Sequence, residues 1–297
     1  MIFTEAIQKL RHINQPKQIE FLELVTSTLE KSRVVSHLLV RGSIGTGKVD
    51  RSSDVDLVIG VQPEALEDFL CILDSIIRIE LGSLFPGWYD ILAPNLNGWG
   101  FVYLVPFKGV LYELDLYVVS KDTIPSIINI GALQIYSKTE TIQDRNHLKR
   151  QKNNNNYIEN IDINKFIKND PTQNLIIETF SLLHIMSKRI TRQQWFIVYG
   201  LSYLVNDAMR RLIKNCLLPN SKHWGWYYLE DELGIDPRGV KCLQELSALI
   251  SIPPTPNHLN VSTVFNHIIR IISIANPELS TEFKLKIEAY HYYMKIK

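Results

Sequence analysis

The sequence predicts an α+β protein that has an N-terminal mixed-sheet domain and a C-terminal helical bundle. Two observations predict this class. Short β-branched runs dominate the chain up to about residue 120, and stretches with helical spacing of apolar residues dominate it from about residue 172. Strands first and helices afterwards are typical of two units with different layers. We therefore expect two domains, 1–150 and 151–297, with a polar run at 151–156 beside their boundary.

The N-terminal elements follow from the spacing of apolar residues. Residues 17–31 predict a helix with Phe21, Leu22, Val25 and Leu29 on one face. A second helix is expected from Pro63 to Ile79, because proline is favoured at the first turn. The predicted strands are 34–40, 54–60, 100–107 and 110–119. The last two form a predicted hairpin around Lys108-Gly109.

The C-terminal half predicts helices and little else. Their expected ranges are 172–188, 192–216, 236–251, 262–275 and 280–296. Trp195, Tyr199 and Tyr203 are spaced to share one helical face, and such a stripe is more often core than the wall of a ligand site. A packing role is also expected for the aromatic residues Trp224, Trp226, Tyr227 and Tyr228.

Composition limits the classes of function. The 297 residues are 45% hydrophobic and 21% charged, which is ordinary for a chain with a buried core. A net charge of +1 argues against a nucleic-acid binder held by bulk charge. The sequence has no signal-peptide pattern, no apolar run long enough for a membrane span, and three widely separated cysteines. We therefore expect a cytoplasmic protein with no membrane partner, and the oligomeric state is left open.

The segment from Leu39 to Gly60, LVRGSIGTGKVDRSSDVDLVIG, has two competing interpretations. Gly42 to Lys48 satisfies the spacing of a phosphate-binding P-loop. The next residue is Val49, however, so the hydroxyl that would hold magnesium is missing. The residues after Lys48 also predict a turn and a strand instead of the helix that a P-loop requires. These two departures disfavour the P-loop.

The second interpretation combines a phosphate contact with a metal site. Gly42-Ser43 follows a strand, and Asp54 and Asp56 come eleven and thirteen positions after Ser43. Residues two apart in a strand face the same side, so the two carboxylates project together. Paired carboxylates suit Mg²⁺, which prefers oxygen ligands. Gly42 lets the backbone approach a phosphate, and the Ser43 hydroxyl can donate to it.

This pattern resembles the nucleotidyltransferase superfamily typified by DNA polymerase beta. Its signature is a strand, Gly-Ser, a short spacer and Asp-x-Asp, and Gly42, Ser43, Asp54 and Asp56 occupy those places. Ser53 also fits the small-molecule branch, which often has GSxxxGxxxxxSDxDL. Thr46 departs from it, since many members have arginine there. The resemblance implies that Gly42, Ser43 and Ser53 bind the nucleotide.

The resemblance also implies a third carboxylate on a neighbouring strand. Within the predicted strand 110–119, Glu113 and Asp115 fall on one face by alternation. Asp115, flanked by Leu114 and Leu116, occupies the place of the family's third aspartate. Glu113 fits less well and is expected to be a solvent residue or to lie behind the ligands. Asp54, Asp56 and Asp115 are therefore the predicted catalytic metal ligands, expected to hold two Mg²⁺ ions.

The implied reaction is transfer of a nucleoside monophosphate to a hydroxyl group, with release of pyrophosphate. AMP from ATP is the leading choice of co-substrate, although the motif touches only phosphate and metal. Residues 176–216 resemble the helical domain of antibiotic nucleotidyltransferases that act on aminoglycosides and lincosamides. The leading acceptor is therefore a small hydroxylated molecule of that type, which would place the protein in antibiotic resistance.

The helical half offers further candidate residues. Glu178 is a candidate general base for the acceptor hydroxyl, against the alternative of a solvated helix carboxylate. Lys188 and Arg192, with Arg189, are candidates to meet the triphosphate, against the alternative of a basic helix end that complements the dipole.

Two other functions remain open from the sequence. One keeps the same chemistry but transfers to a protein or RNA acceptor. The other is a non-catalytic, antitoxin-type binding module that retains the fold. Three intact aspartates argue against the second, since a degenerate copy has no reason to retain them all.

Overall fold

The computed structural model describes residues 10, 16–90, 96–138, 170–256 and 259–295. The chain divides into two compact units, Met1–Lys168 and Asn169–Lys297. The first has α+β architecture and the second is helical in its described part, which confirms the predicted fold class. The predicted boundary between 150 and 151 lies outside the described residues and stays a prediction.

Unit 1 contains a six-stranded mixed sheet with short and long helices. Its strands are β1 (Val35–Val40), β2 (Val55–Val61), β3 (Trp88–Tyr89), β4 (Gly98–Phe107), β5 (Val110–Ser120) and β6 (Leu133–Ser137). Its helices are α1 (Pro16–Leu29), α2 (Gly42–Thr46), α3 (Leu66–Glu80) and α4 (Ile124–Asn129). The strand order is β3-β4-β5-β2-β1-β6. Only the central pair β2 and β5 runs parallel among these described pairings.

The two faces of this sheet are covered differently. One face belongs to the main core, which includes the predicted apolar stripe of α1 and the buried side of α3. There Phe21 of α1 stacks on Tyr112 of β5 at 4.6 Å between ring centroids. The other face has a smaller apolar cluster that includes Leu39, Val58 and Tyr117. Because side chains alternate along a strand, Asp56 and Asp115 lie on this second face, with Val58 and Tyr117.

The hairpin between β4 and β5 confirms the expected turn. Phe107 pairs with Val110, and the two residues between them are Lys108 and Gly109. Both have positive φ, 47° and 78°. Two-residue turns of this kind match the right-handed twist of the strands, so they set the register of the hairpin.

Unit 2 consists of helices in its described part. They are α5 (Pro171–Thr191), α6 (Trp195–Leu217), α7 (Leu229–Leu233), α8 (Pro237–Ile250), α9 (Val261–Ala275) and α10 (Pro277–Lys295). Asp170 and Asn260 accept hydrogen bonds from backbone N–H groups at the starts of α5 and α9, so both act as N-caps. Phe180, Phe265 and Tyr290 contact one another in the core. None of the described helices combines the length and apolar character that crossing a membrane requires.

The expected burial of the α6 aromatic stripe is wrong. Tyr199 and Tyr203 are 67% and 59% exposed, because Val198, Leu201 and Val205 form the buried side of the helix instead. The second aromatic group is also not buried, although the Tyr228 ring lies 4.4 Å from the His223 ring. Trp224, Tyr227 and Tyr228 are mainly exposed, while Trp226 lies over the Arg210 guanidinium at 5.4 Å.

Candidate metal centre

Three carboxylates meet at the paired central strands of unit 1. Asp54 directly precedes β2, and Glu113 and Asp115 belong to β5. Each offers an oxygen atom, and these three atoms lie within 4.8 Å of one another. Such a separation allows one divalent cation to contact all three residues.

The parallel register of β2 and β5 explains this meeting. Asp56 pairs with Asp115 through their Cα positions, and Val55 pairs with Leu114. Continuing that register by one residue places Asp54 beside Glu113. Because alternate residues share a face, all four acidic side chains belong to the same side of the sheet.

Because the cluster is buried, its ionised carboxylates are unfavourable in free energy unless a cation is bound. Glu113 is 4% exposed and Asp115 is 9% exposed. Like charges in a poorly solvated place disfavour one another's ionised form, whereas a bound cation stabilises it. A set of carboxylate oxygens suits hard divalent cations such as Mg²⁺. The residues present therefore fit a divalent metal ion.

The expectation that Glu113 is a solvent residue is wrong. It is buried and shares the cluster with Asp54 and Asp115. The sequence signal for its position was its spacing of two residues from Asp115, which puts both side chains on one face. The sequence of one strand does not show which of its side chains become buried when the sheet forms.

Asp56 lies beside this cluster and against the turn that follows β1. Its backbone carbonyl accepts a hydrogen bond from Arg41 N–H at 3.0 Å. Gly42 has φ +60°, and a Cβ atom there would overlap the Asp56 carboxylate. Gly42 therefore allows a close approach between the turn and the second predicted aspartate.

Ser43, in the first turn of the short helix α2, brings a hydroxyl to the same place. Its Oγ is buried, and no hydrogen-bond partner for it occurs among the described residues. A buried hydroxyl without a partner costs about 1–3 kcal/mol. A ligand that accepts a hydrogen bond would remove that cost.

The turn from α2 to β2 engages Ser53, the third predicted nucleotide-binding residue of this half. The Ser53 hydroxyl donates to the Asp50 carboxylate at 3.0 Å and accepts from Asp50 N–H at 2.9 Å. Ser53 thus fixes the turn that precedes Asp54. The helix α2 ends before Gly47, so Lys48 lies in the turn and not at a helix N-terminus, in line with the rejection of a P-loop.

An aromatic side chain borders the acidic cluster. Tyr117 follows Asp115 by two residues on the same face of β5, and it is 7% exposed. Burial raises its pKa, and the carboxylates of Asp115, Asp90 and Asp56 raise it further, whereas Arg41 lowers it. The phenol stays protonated and neutral at physiological pH.

The candidate base Glu178 lies on α5 of unit 2 and is ion-paired. Its carboxylate accepts a hydrogen bond from Arg211 at 2.5 Å, and Arg211 also contacts Asp207 at 3.0 Å. Burial raises the pKa of Glu178, and Arg211 opposes that shift. The alternative of a solvated helix carboxylate is wrong, since the residue is only 8% exposed.

The two basic candidates of unit 2 lie at the end of α5. Lys188 is 2% exposed, and Arg192 is half-buried just beyond the helix. Arg192 N–H donates to the Lys188 carbonyl at 3.1 Å. Their predicted role with a triphosphate stays a prediction, as does that of Glu178.

The fold and the site thus define an α+β protein with a candidate divalent-cation centre on its sheet. No family model and no curated protein matches the chain. The solved structures that are similar to it include the following two. One is an aminoglycoside 6-adenyltransferase from Bacillus subtilis, 12% identical, covering 91% of this chain and 97% of that chain at a TM-score of 0.29. The other is a nucleotidyltransferase-like protein from Exiguobacterium sibiricum 255-15, 11% identical, covering 90% and 76% at a TM-score of 0.21. TM-scores this low establish neither a shared fold nor a shared function.

Proposed function

We propose that the protein is a metal-dependent nucleotidyltransferase that moves a nucleoside monophosphate to a hydroxyl group and releases pyrophosphate. The observation behind this proposal is the cluster of Asp54, Glu113 and Asp115, with ligand oxygens within 4.8 Å, next to the Gly42-Ser43 turn. A carboxylate cluster alone would suit many metal sites. Its combination with a glycine-serine turn suits a metal-bound phosphate.

The reaction is a displacement at the α-phosphorus of the triphosphate. The acceptor oxygen forms a new bond to phosphorus, the bond to the pyrophosphate oxygen breaks, and the hydroxyl proton passes to a base. A pair of bound Mg²⁺ ions would stabilise the charge on the attacking and leaving oxygens. The protein's own contribution is to position the reactants and to hold charge in place.

Each residue of unit 1 has a specific part in this proposal. Asp54, Glu113 and Asp115 hold the cations, and the adjacent Asp56 adds a further carboxylate. Gly42 keeps the turn free of a side chain where it approaches Asp56. The Ser43 hydroxyl donates to a phosphate oxygen, which would satisfy the buried Oγ.

Unit 2 is proposed to recognise the acceptor. Glu178 is the proposed base. Burial raises its pKa toward neutral pH, which makes the carboxylate a stronger base. The ion pair with Arg211 lowers the pKa of Glu178. The acceptor hydroxyl would have to compete with Arg211 for the carboxylate. Lys188 and Arg192 are proposed to meet the phosphates.

The finer specificity is supported by the sequence motif alone. The GSxxxGxxxxxSDxDL pattern resembles the branch that modifies small molecules, so we propose ATP as donor and an aminoglycoside-like or lincosamide-like antibiotic as acceptor. The near-neutral net charge of +1 gives no support to an RNA acceptor.

The metal-dependent chemistry is tested by pyrophosphate release. Wild type is incubated with each nucleoside triphosphate, Mg²⁺ and a panel of hydroxylated antibiotics. Asp115→Asn should lower the rate by at least about a hundredfold, because several kcal/mol of charge stabilisation depends on the cation. The control is Asp68→Asn, which removes the same charge from an exposed position on α3. Equal loss in both variants, or none in Asp115→Asn, would contradict the assignment.

The acceptor is identified in the same incubation with labelled triphosphate. Label on a small molecule supports the proposal. Label on the protein itself, with no small molecule required, favours a protein acceptor. Absence of release with every triphosphate would leave the binding-module alternative.

A further inference from the structure

The guanidinium of Arg41 lies beside the candidate metal centre in an unusual setting. Its central carbon lies 5.4 Å from the centroid of the Tyr117 ring. Arg41 directly precedes the Gly42-Ser43 turn, and Tyr117 lies two residues beyond Asp115 on the same face of β5. The guanidinium therefore lies over a ring that borders the carboxylate cluster, on a residue next to the proposed phosphate turn.

The N–H donors of this guanidinium have no acceptor among the described residues. In the described part of the chain, no hydrogen bond or ion pair involves them, although Arg41 is half-buried. The carboxylates of Asp56, Asp90 and Asp115 all act on the neighbouring Tyr117 phenol, so negative charge is close by. An arginine that served only to neutralise these carboxylates would be expected to pair with one of them.

Ser43, two residues after Arg41, gives a second and independent indication. Ser43 Oγ is buried without a hydrogen-bond partner among the described residues. The side chains of Arg41 and Ser43, two residues apart in the chain, thus both offer donors with no acceptor among the described residues. Both can be satisfied by one anionic ligand at the turn.

We propose that Arg41, held in place by the Tyr117 ring, binds the β- and γ-phosphates of the nucleoside triphosphate and thereby orients the pyrophosphate as leaving group. This inference rests on the proposed function and assigns it a further residue. Arg41 forms no covalent bond. It donates hydrogen bonds to phosphate oxygens that gain charge when the bond to the α-phosphorus breaks.

The chemistry of arginine suits this task. A guanidinium is always charged at physiological pH and presents a planar fork of donors that matches two phosphate oxygens. The face of a tyrosine ring attracts it and limits its rotamers while leaving its edge free to donate. Tyr117 is therefore a positioning residue, whereas Arg41 touches the substrate.

The charge at the centre gives Arg41 a further use. The site carries the carboxylates of Asp54, Asp56, Glu113 and Asp115, which repel a triphosphate when no cation is bound. The positive charge of Arg41, next to the Gly42-Ser43 turn, lowers that repulsion. It therefore favours binding of the metal-bound nucleotide.

The test separates triphosphate binding from catalysis. Binding of inorganic tripolyphosphate in excess Mg²⁺ is measured by calorimetry for wild type, Arg41→Met and Arg41→Lys. Loss of two charge-assisted hydrogen bonds should weaken binding by about tenfold to a hundredfold in Arg41→Met. Arg41→Lys should recover part of the affinity, because the charge remains but the fork is lost. The control is Arg33→Met, which removes an exposed positive charge preceding β1.

The positioning role is tested with two variants of the ring. Tyr117→Phe keeps the ring and should bind tripolyphosphate within about threefold of wild type, whereas Tyr117→Leu should weaken binding about threefold to tenfold. Where wild type is active, Tyr117→Leu should raise KM for the triphosphate more than it lowers kcat. A thermal unfolding curve shows whether each variant folds. If Tyr117→Leu does not fold, the two Arg41 variants still decide the inference.

Each outcome has a definite meaning. Arg41→Met with wild-type affinity for tripolyphosphate overturns the inference, even if wild type releases pyrophosphate and the proposed function stands. Equal weakening by Arg33→Met also overturns it, since only bulk charge would then matter. Specific weakening by Arg41→Met in a protein that transfers nothing supports the phosphate site and contradicts the proposed function. If wild type binds no tripolyphosphate, the inference is overturned, and pyrophosphate release still decides the proposed function.

Discussion

Replacing Gly42 by alanine tests the close approach on which the site's geometry depends. The change has two physical consequences. Gly42 has φ +60°, a conformation that costs an L-residue about 1 kcal/mol. The new Cβ would also overlap the Asp56 carboxylate, so the turn or Asp56 must move. Overpacking of this kind costs about 1–3 kcal/mol more.

Gly82 provides the matched control. It has φ +71°, and nothing lies within 4 Å of a Cβ added there. Gly82→Ala should therefore show the backbone cost alone, about 1 kcal/mol. Gly42→Ala should be destabilised by a total of about 2–4 kcal/mol. The difference between the two variants isolates the contact with Asp56.

The assay is urea denaturation of both variants, combined with pyrophosphate release under the conditions that detect wild-type activity. Gly82→Ala should retain that activity. Gly42→Ala should lose most of it, because the displaced Asp56 carboxylate lies next to Asp115 in the sheet register. Equal stability of the two variants, together with full activity of Gly42→Ala, would refute the reasoning.

Three further predictions concern particular side chains. Mg²⁺ at about 100 times its Kd should stabilise wild type by about 2.7 kcal/mol, and Glu113→Gln should lose most of that gain in a thermal melt; an equal gain would exclude Glu113 as a ligand. Replacing Tyr199 and Tyr203 together by serine should change the free energy of unfolding by less than about 1 kcal/mol, because both are mainly exposed; a larger loss in urea would place them in a core. Burial raises the pKa of Glu178 above its unfolded value near 4.3, so the folded state keeps the proton longer and its stability should fall as pH rises from about 4.3 to the raised pKa. Glu178→Gln should remove this slope from a pH series of unfolding midpoints, and an unchanged slope would contradict it.

Local patterns predicted the longer elements because they depend on residues close in sequence. The β4–β5 hairpin is an example, since Lys108-Gly109 adopts the positive φ pair that such a turn needs. The strand β6 (Leu133–Ser137) was missed. It is a short edge strand, and its partner β1 lies about a hundred residues earlier. Pairing over that distance leaves little trace in the local sequence.

The aromatic stripe of α6 shows a different limit. Helical spacing correctly groups Tyr199 and Tyr203 on one face, but it does not say which face other helices will cover. Val198, Leu201 and Val205 occupy the buried face instead. Two amphipathic patterns compete on this helix, and tertiary packing decides between them.

The candidate site could be predicted in its components but not in its geometry. The motif placed Asp54, Asp56 and Asp115 on two strands, and the parallel register then aligned Asp56 with Asp115. Glu113 joined the cluster because the same register places it beside Asp54, a relation between two strands that neither strand reveals alone. The approach of Gly42 to Asp56 likewise needs both segments in place.

Two structural costs coincide at one place on the sheet. Glu113 and Asp115 are buried near Asp54, where like charges raise the energy of the ionised cluster. Beside Asp56, which the sheet register pairs with Asp115, Gly42 adopts a conformation that other residues rarely accept. A strand pair that served only to hold the sheet together would be more stable with apolar residues at these positions. Both costs are explained if a cation and an anion bind together where β2 and β5 lie beside the turn after β1. The cation would stabilise the carboxylates, and the glycine turn would leave room for the anion.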